Sequence, residues 1–206
     1  MLETRANSGW RDEFLFLGNQ LALDFLNTRP ILNGKTAELL PDFSALLKWF
    51  KAAELLSARD VSRLRVQWEG SARAQRTVET MRELREQLRN EVLAWERGGA
   101  VHRSTVVGLN RLLAEHPMLT RVKLEGTSPV TKLWFEVRNP EDLFAPLAHS
   151  AASLFTHADR SRVRKCANCV GHFLDTSKKG TRRWCSMQLC GNRAKVAAYA
   201  MRRRIA

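Results

Sequence analysis

The chain has 206 residues, 44% of them apolar and 27% charged, a composition that fits a globular protein with one main core and a small satellite. No apolar run approaches the ~18–20 residues of a membrane helix, and Met1–Trp10 carries Glu3 and Arg5 without an apolar stretch, so neither a membrane span nor a secretory signal is expected and a reducing cytoplasm is the default compartment. The formal net charge of +13 is unevenly placed: from Arg160 onward 13 Lys or Arg face a single acid, Asp175, whereas residues 1–159 hold 21 basic and 20 acidic side chains.

All four cysteines fall in the same basic tail. Two composition signals break together, which predicts a nearly neutral body over 1–159 and a separate basic module over 160–206.

In the body, Gly18–Pro30 is mostly apolar and stops at Pro30, which cannot continue a helix. Phe43, Leu46, Leu47 and Phe50 recur at helical spacing after Pro41-Asp42. Ser57 has the character of an N-cap for a helix reaching about Trp68. Val78, Met81, Leu84, Leu88, Val92 and Trp95 continue a helical stripe that Gly98-Gly99 ends, and a shorter helix is expected from Ser104 to His116, before Pro117. Then the period changes. Val122 and Leu124, then Leu133, Phe135 and Val137, alternate with polar residues around Gly126-Thr-Ser-Pro129, which predicts a β-hairpin over about 119–137. Asn139-Pro140-Glu141-Asp142 is a helix start, and Pro146 either kinks the following helix or marks where its main run begins. Phe144, Leu147, Ala148, Ala151, Leu154 and Phe155 give that helix an apolar face. The expected fold class is mainly α with a small β-hairpin.

The tail reads Cys166-x2-Cys169-x15-Cys185-x4-Cys190. Zinc takes four thiolates in a tetrahedron with Zn–S near ~2.3 Å, and a two-residue spacer lets one tight turn present two sulfurs to one ion. Gly171 follows that turn, where backbone N–H groups approach the sulfurs. The x15 interval leaves room for a hairpin with Lys178-Lys179-Gly180 at its tip and Thr181–Trp184 as its returning strand. Gly191–Arg204 lacks proline and is rich in alanine, which suits a helix with Cys190 in its first turn, where unpaired N–H groups favour a thiolate. A turn-borne pair followed by a pair at a helix start predicts a treble-clef-like finger.

Three other uses of these cysteines are weaker. Disulfides need an oxidising compartment. A redox Cys-x2-Cys needs a βαβ context that the body does not offer. His172 is a bystander, because four cysteines already fill the shell. That closed shell makes the zinc structural, and a module of some 47 residues, poor in large apolar side chains, needs such a staple, worth on the order of 10 kcal/mol.

A tetrathiolate zinc is formally −2, so Lys165 and one or two arginines offset it without absorbing the surplus. Ordinary solvated surfaces mix signs. The footprint therefore fits a polyanion backbone. Candidate nucleic-acid contacts are Lys178 and Lys179 at the hairpin tip, Arg182 and Arg183 on the hairpin, Asn192, Arg193 and Lys195 in the first helical turns, and Arg202, Arg203 and Arg204 at the end. Asn and Arg near a helix start suit base edges, and terminal arginines suit phosphates, although cations also favour a helix C-terminus through its dipole.

At Cys190-Gly191-Asn192-Arg193 the chain resembles the CGNR zinc-finger family, together with the first cysteine pair, Phe173-Leu174-Asp175, the Arg-Trp-Cys185 step and the Arg/Ala-rich final helix. The front end, Gly18-Asn19-x-Leu21-Ala22-Leu23-Asp24-Phe25-x-Asn27-Thr28, resembles the ABATE domain that accompanies it. One departure is Val170, where glycine is expected directly after the second cysteine. The resemblance implies a bacterial, stress-related DNA-binding transcription regulator whose N-terminal domain senses an effector or serves as an assembly platform.

Other function classes compete. RNA binding shares the charge argument, with Trp184 and Phe173 as base-stacking candidates that double as finger core. A protein-interaction finger would meet an acidic partner. An enzyme is not expected: no nucleophile elbow, phosphate-binding glycine loop or HExxH is present, and His102, His116, His149 and His157 are scattered. A homodimer would give two modest binding modules avidity. In Gly18–Thr28 the apolar residues are expected in the core, with Asp24, Asn27 and Thr28 capping or turning the chain.

Overall fold

The computed structural model describes residues 9–32 and 35–205; Met1–Ser8, the stretch in which a signal was sought, lies outside the described residues. Two short hairpins flank the first helix. β1 (Trp10–Arg11) pairs with β2 (Phe14–Leu15), α1 covers Leu21–Leu26, and β3 (Ile31–Leu32) pairs with β4 (Lys35–Thr36). Gln20 caps α1 by accepting from the Ala22 N–H, and Asn27 closes it three residues before Pro30.

The next helices start at the residues that the pattern marks. α2 (Phe43–Ala52) begins at Asp42, whose carboxylate accepts from the Ala45 N–H at 2.8 Å. α3 (Ala58–Trp68) begins at Ser57 with a capping box to Asp60. α4 (Ala72–Glu96), 25 residues long, begins at Ser71 and stops before Gly98, where φ is +98°. α5 (Arg103–Glu115) has no side-chain cap of its own. The buried Glu91 of α4 supplies one, accepting from the His102 N–H at 2.8 Å and the Thr105 hydroxyl at 2.6 Å.

β5 (Leu119–Glu125) and β6 (Ser128–Trp134) pair antiparallel through a turn at Gly126-Thr127. The hairpin forms where the alternation predicts it, and its apolar face lies open: Val122 and Leu124 are 70% and 72% exposed. Phe135 and Val137, past the end of β6, are the residues that enter the core. A 3-10 turn, Pro140–Leu143, leads into α6 (Phe144–His157). Pro146 is its third residue, where an N–H would have no intrahelical partner, so it marks the start of the main run and not a kink.

The body has two contiguous cores. One centres on Trp49, against which Phe25 and Phe50 pack with ring centroids 5.7 and 5.2 Å away, and it joins α2, α3 and the first half of α4. The other joins α1, the second half of α4 and α6 through Leu23, Leu26, Leu88, Val92, Trp95 and Leu154. Arg85 is buried between them and donates to the Thr28 hydroxyl at 2.9 Å and to Glu38 at 2.8 Å, so this internal cation is paired.

In the tail, β7 (Val163–Lys165) pairs with β8 (His172–Leu174), so the finger's hairpin wraps the first cysteine pair. Thr181–Trp184 is not a strand. Side chains hold that stretch in turns: Asp175 accepts from the Ser177 and Arg182 N–H groups, Arg162 donates to the Asp175 and Ser177 carbonyls, and Arg164 donates to the Gly180 carbonyl. A second difference is at the final helix. A π-helical turn, Met187–Gly191, capped by Ser186, precedes α7 (Asn192–Ile205), so Cys190 lies in that turn just ahead of the regular helix.

Candidate metal centre and basic face

The β7–β8 hairpin brings Cys166 and Cys169 together, and the π turn brings Cys185 and Cys190 to the same point. The four Sγ atoms lie within 4.8 Å of one another, with Cys169–Cys185 at 3.4 Å and Cys185–Cys190 at 3.6 Å. These separations exclude disulfides, whose sulfurs are ~2.05 Å apart. They fit a shared tetrahedral ion, since sulfurs ~2.3 Å from a common centre are ~3.8 Å from each other. Without a cation, hydrogen bonding to Cys166 pushes the Cys169 thiol up to about 12 and raises Cys185 further, while Cys166 is pushed down. A divalent ion held by Cys166, Cys169, Cys185 and Cys190 would remove that competition, since it would accept all four as thiolates. Three of the four are buried, around the fully buried Phe173.

His172, beside the cluster, is buried, and its Nδ1 has no partner. Burial, helped by Arg89 and Lys165, pushes its imidazole down to about 4, so it is neutral at pH 7.

The knuckle is not freestanding. The outer edge of β8 is covered by the front motif. Asn27 donates from Nδ2 to the His172 carbonyl at 2.9 Å and accepts from the His172 N–H at 2.8 Å, both bonds buried. The Leu174 N–H donates to the Gly18 carbonyl at 2.8 Å, and Asn19 donates to the Leu174 carbonyl at 2.9 Å. Side-chain amide and loop thus take the place of a third strand on an otherwise open edge. Asp24 organises the loop by accepting from the Gly18 N–H at 2.7 Å; burial nevertheless pushes its carboxyl up to about 6. Gly18 tolerates no side chain, because a Cβ there would sit 2.7 Å from the Asp24 N. Asn27 does cap α1 and Thr28 turns back onto the Phe25 carbonyl, as the sequence predicts; the bonds to β8 are additional. The missed signal was a run of polar side chains on a short apolar helix, each needing a buried partner.

Gly171 sits where the motif meets the metal site. A Cβ on it would lie 3.3 Å from both the Cys169 Sγ and the Asn27 Oδ1. The preceding residue, Val170, has φ of +56°, a left-handed conformation that suits glycine and strains a β-branched side chain. That strain is on the order of 1–2 kcal/mol, partly offset by the greater freedom of an unfolded glycine. Val170→Gly is therefore expected to stabilise the finger by about 0.5–1 kcal/mol, read as a higher thermal midpoint. A lowered midpoint would mean that valine packing outweighs the strain.

The basic residues separate into groups. Arg182 is engaged internally, donating to the Cys185 carbonyl at 2.6 Å with its guanidinium 5.1 Å from the Phe173 ring centre. Arg193 lines the crevice beside Leu189, Cys190 and the N-terminal hairpin. Asn192, Lys195, Val196, Tyr199, Arg202 and Arg203 recur at helical spacing on α7, and all are exposed. Arg203 lies over the Tyr199 ring, and Arg183 over that of Trp184. Lys178 and Lys179 are exposed in the loop after Asp175. Among the described residues, Lys178, Lys179, Arg183, Lys195, Arg202 and Arg203 have no carboxylate within 4.0 Å. The side chain of Arg204 lies outside the described residues.

No described helix is long and apolar enough to cross a membrane. No curated protein matches the chain. Residues 162–203 match the CGNR zinc finger family. Residues 19–158 match the ABATE family, described as "Putative stress-induced transcription regulator". That second match takes in most of the chain, and the protein belongs to the ABATE family with a CGNR zinc finger at its C-terminal end.

Proposed function

We propose that this protein is a cytoplasmic DNA-binding transcription regulator in which residues 160–206, folded around one structural zinc ion, bind DNA, and residues 1–159 hold the finger and receive an effector. Zinc suits a buried all-thiolate tetrahedron better than harder ions do. Four protein ligands leave no position for water or substrate, so the ion's role in this reading is structural and not catalytic. Zinc when bound supplies a cross-link, and the chain's own residues do the rest: Cys166, Cys169, Cys185 and Cys190 hold the ion, Phe173 packs beneath them, and Asn27 orients the knuckle.

The observation that carries the reading is the exposed face of α7, where Asn192, Lys195, Tyr199, Arg202 and Arg203 share one side with no acid beside them. A helix fits a major groove, where Asn192 near its start would meet base edges and the cations would take phosphates. Arg193, turned to the crevice, is the poorer candidate for base contact.

A salt titration on duplex DNA tests this. With Lys178, Lys179, Arg183, Lys195, Arg202 and Arg203 on phosphates, log K should fall against log salt with a slope near −5, and Lys195→Ala should reduce the slope by about 1. A flat titration would reject the reading. Tighter binding to matched duplex RNA in competition would move the assignment to RNA, and capture only of acidic peptides would make the finger a protein-interaction module.

A further inference from the structure

The β5–β6 hairpin stands apart from the body. Its strands pair with each other over seven positions, and only its root, through Phe135 and Val137, enters a core. Its two faces differ sharply. Facing residues in the register share a side, so one face carries the charged Arg121, Lys123, Glu125 and Lys132 among Leu119, Val130 and Trp134. On that face the Arg121 guanidinium lies 5.1 Å from the Trp134 ring centre and Lys132 pairs with Glu125. The other face is Thr120, Val122, Leu124, Pro129, Thr131 and Leu133, uncharged and exposed at every position. Val122, Leu124 and Leu133 are 70%, 72% and 51% exposed.

A two-stranded ribbon with nothing against it among the described residues is at best marginally stable in water; a covering layer is what such a sheet needs. We propose that the cover is a second copy of this chain, with the two hairpins packed face to face about a two-fold axis. Three observations favour a copy over another partner. A two-fold contact must be self-complementary, and this face has no charge to repel its own image, whereas the opposite face has three cations that would. The face also has no charge with which to select an acidic or basic partner. Its size suits a small contact: six exposed side chains on each copy, Val122 and Leu124 among them at 70% and 72%, could bury at most about 1,000 Å² together, the lower bound of specific interfaces. The result is a four-stranded, two-layer sheet and a dimer of modest affinity.

The placement leaves the fingers free. α4 meets the 3-10 turn that follows the hairpin at one end, where Arg73 pairs with Glu141, and the finger at the other, where Glu96 accepts from the Lys165 N–H. Its 25 residues span about 37 Å. The proposal stands whatever the finger binds.

Sedimentation velocity on the full-length, metal-loaded protein decides it. The wild type is expected at twice the 23.5 kDa chain mass at tens of micromolar, and Leu124→Glu should weaken the dimer by roughly tenfold or more, since it would bury an unpaired charge. Because Leu124 touches no core, helicity and metal stoichiometry should be unchanged. Mixing Leu124→Glu with Leu124→Lys should restore dimers. A wild type monomeric at about 100 µM, or a dimer that survives Leu124→Glu combined with Val122→Glu, overturns the proposal. So does a monomer whose DNA affinity falls with Leu124→Glu, which would make the hairpin a nucleic-acid arm.

Discussion

Chelation of the metal is expected to unfold the C-terminal module and leave the body standing. Among the described residues, 160–205 bury Phe173, Val163 and three of the four cysteines but few other large side chains, so little apolar burial remains when the ion leaves. A structural zinc site is worth on the order of 10 kcal/mol at neutral pH, more than a module of this size can replace. The first core is built from the body alone and contains no cysteine, so its transition should persist; the second, which takes in Val163 and Leu174 of the finger, should lose some stability when the module unfolds. The purified protein should carry one zinc per chain by elemental analysis. Strong chelator should then abolish amide protection over β7, β8 and α7 and quench DNA binding together. Cys190→Ser should do the same without chelator, because it removes one of four ligands and leaves a three-sulfur site open to water. Absence of bound metal, or an apo protein with β8 still protected from exchange, would refute the metal as scaffold.

How far the sequence foretold this molecule depends on how local each determinant is. The starts of α2 and α3 were legible because Asp42 and Ser57 act within three residues of themselves. The metal ligands were legible because Cys-x2-Cys and Cys-x4-Cys are each short-range geometry, although nothing short-range says that the pairs must meet. The role of Asn27 was hidden because its partner is 145 positions away. The exposed hairpin was hidden for a related reason: alternation reveals that a strand has an apolar face and not what covers it. The basic tail was overcounted. Arg162, Arg164 and Arg182 hold finger carbonyls, so the charge offered to a polyanion is smaller than composition suggests. Those same arginines replace the expected strand at Thr181–Trp184 with a side-chain-stapled loop.

Asn27→Ala is expected to release the finger from the body while sparing both cores. The substitution leaves the N–H and carbonyl of His172 buried and unpaired, and each such loss costs about 1–3 kcal/mol. Leu174 keeps its own bonds to Gly18 and Asn19, so docking should weaken and not vanish. A net loss of ~3 kcal/mol corresponds to a population of undocked finger raised by roughly a hundredfold. The measurable results are faster amide exchange at His172 and faster transfer of zinc to a chelator, because an undocked knuckle also frees Gly171 and the Cys169 turn packed on the same amide. Asn27→Asp should behave like the alanine variant: its carboxylate can accept from the His172 N–H but faces the His172 carbonyl with no donor. Gln, a methylene longer, cannot hold both bonds from the same backbone position. If exchange and zinc transfer are unchanged in Asn27→Ala, the two bonds are not what couples the front motif to the metal site. Should they change as expected with unaltered melting of the body, Gly18–Thr28 acts as the seat on which the finger is held, and an effector that shifted α1 would reach the zinc knuckle chiefly through Asn27, with Gly18 and Asn19 beside it.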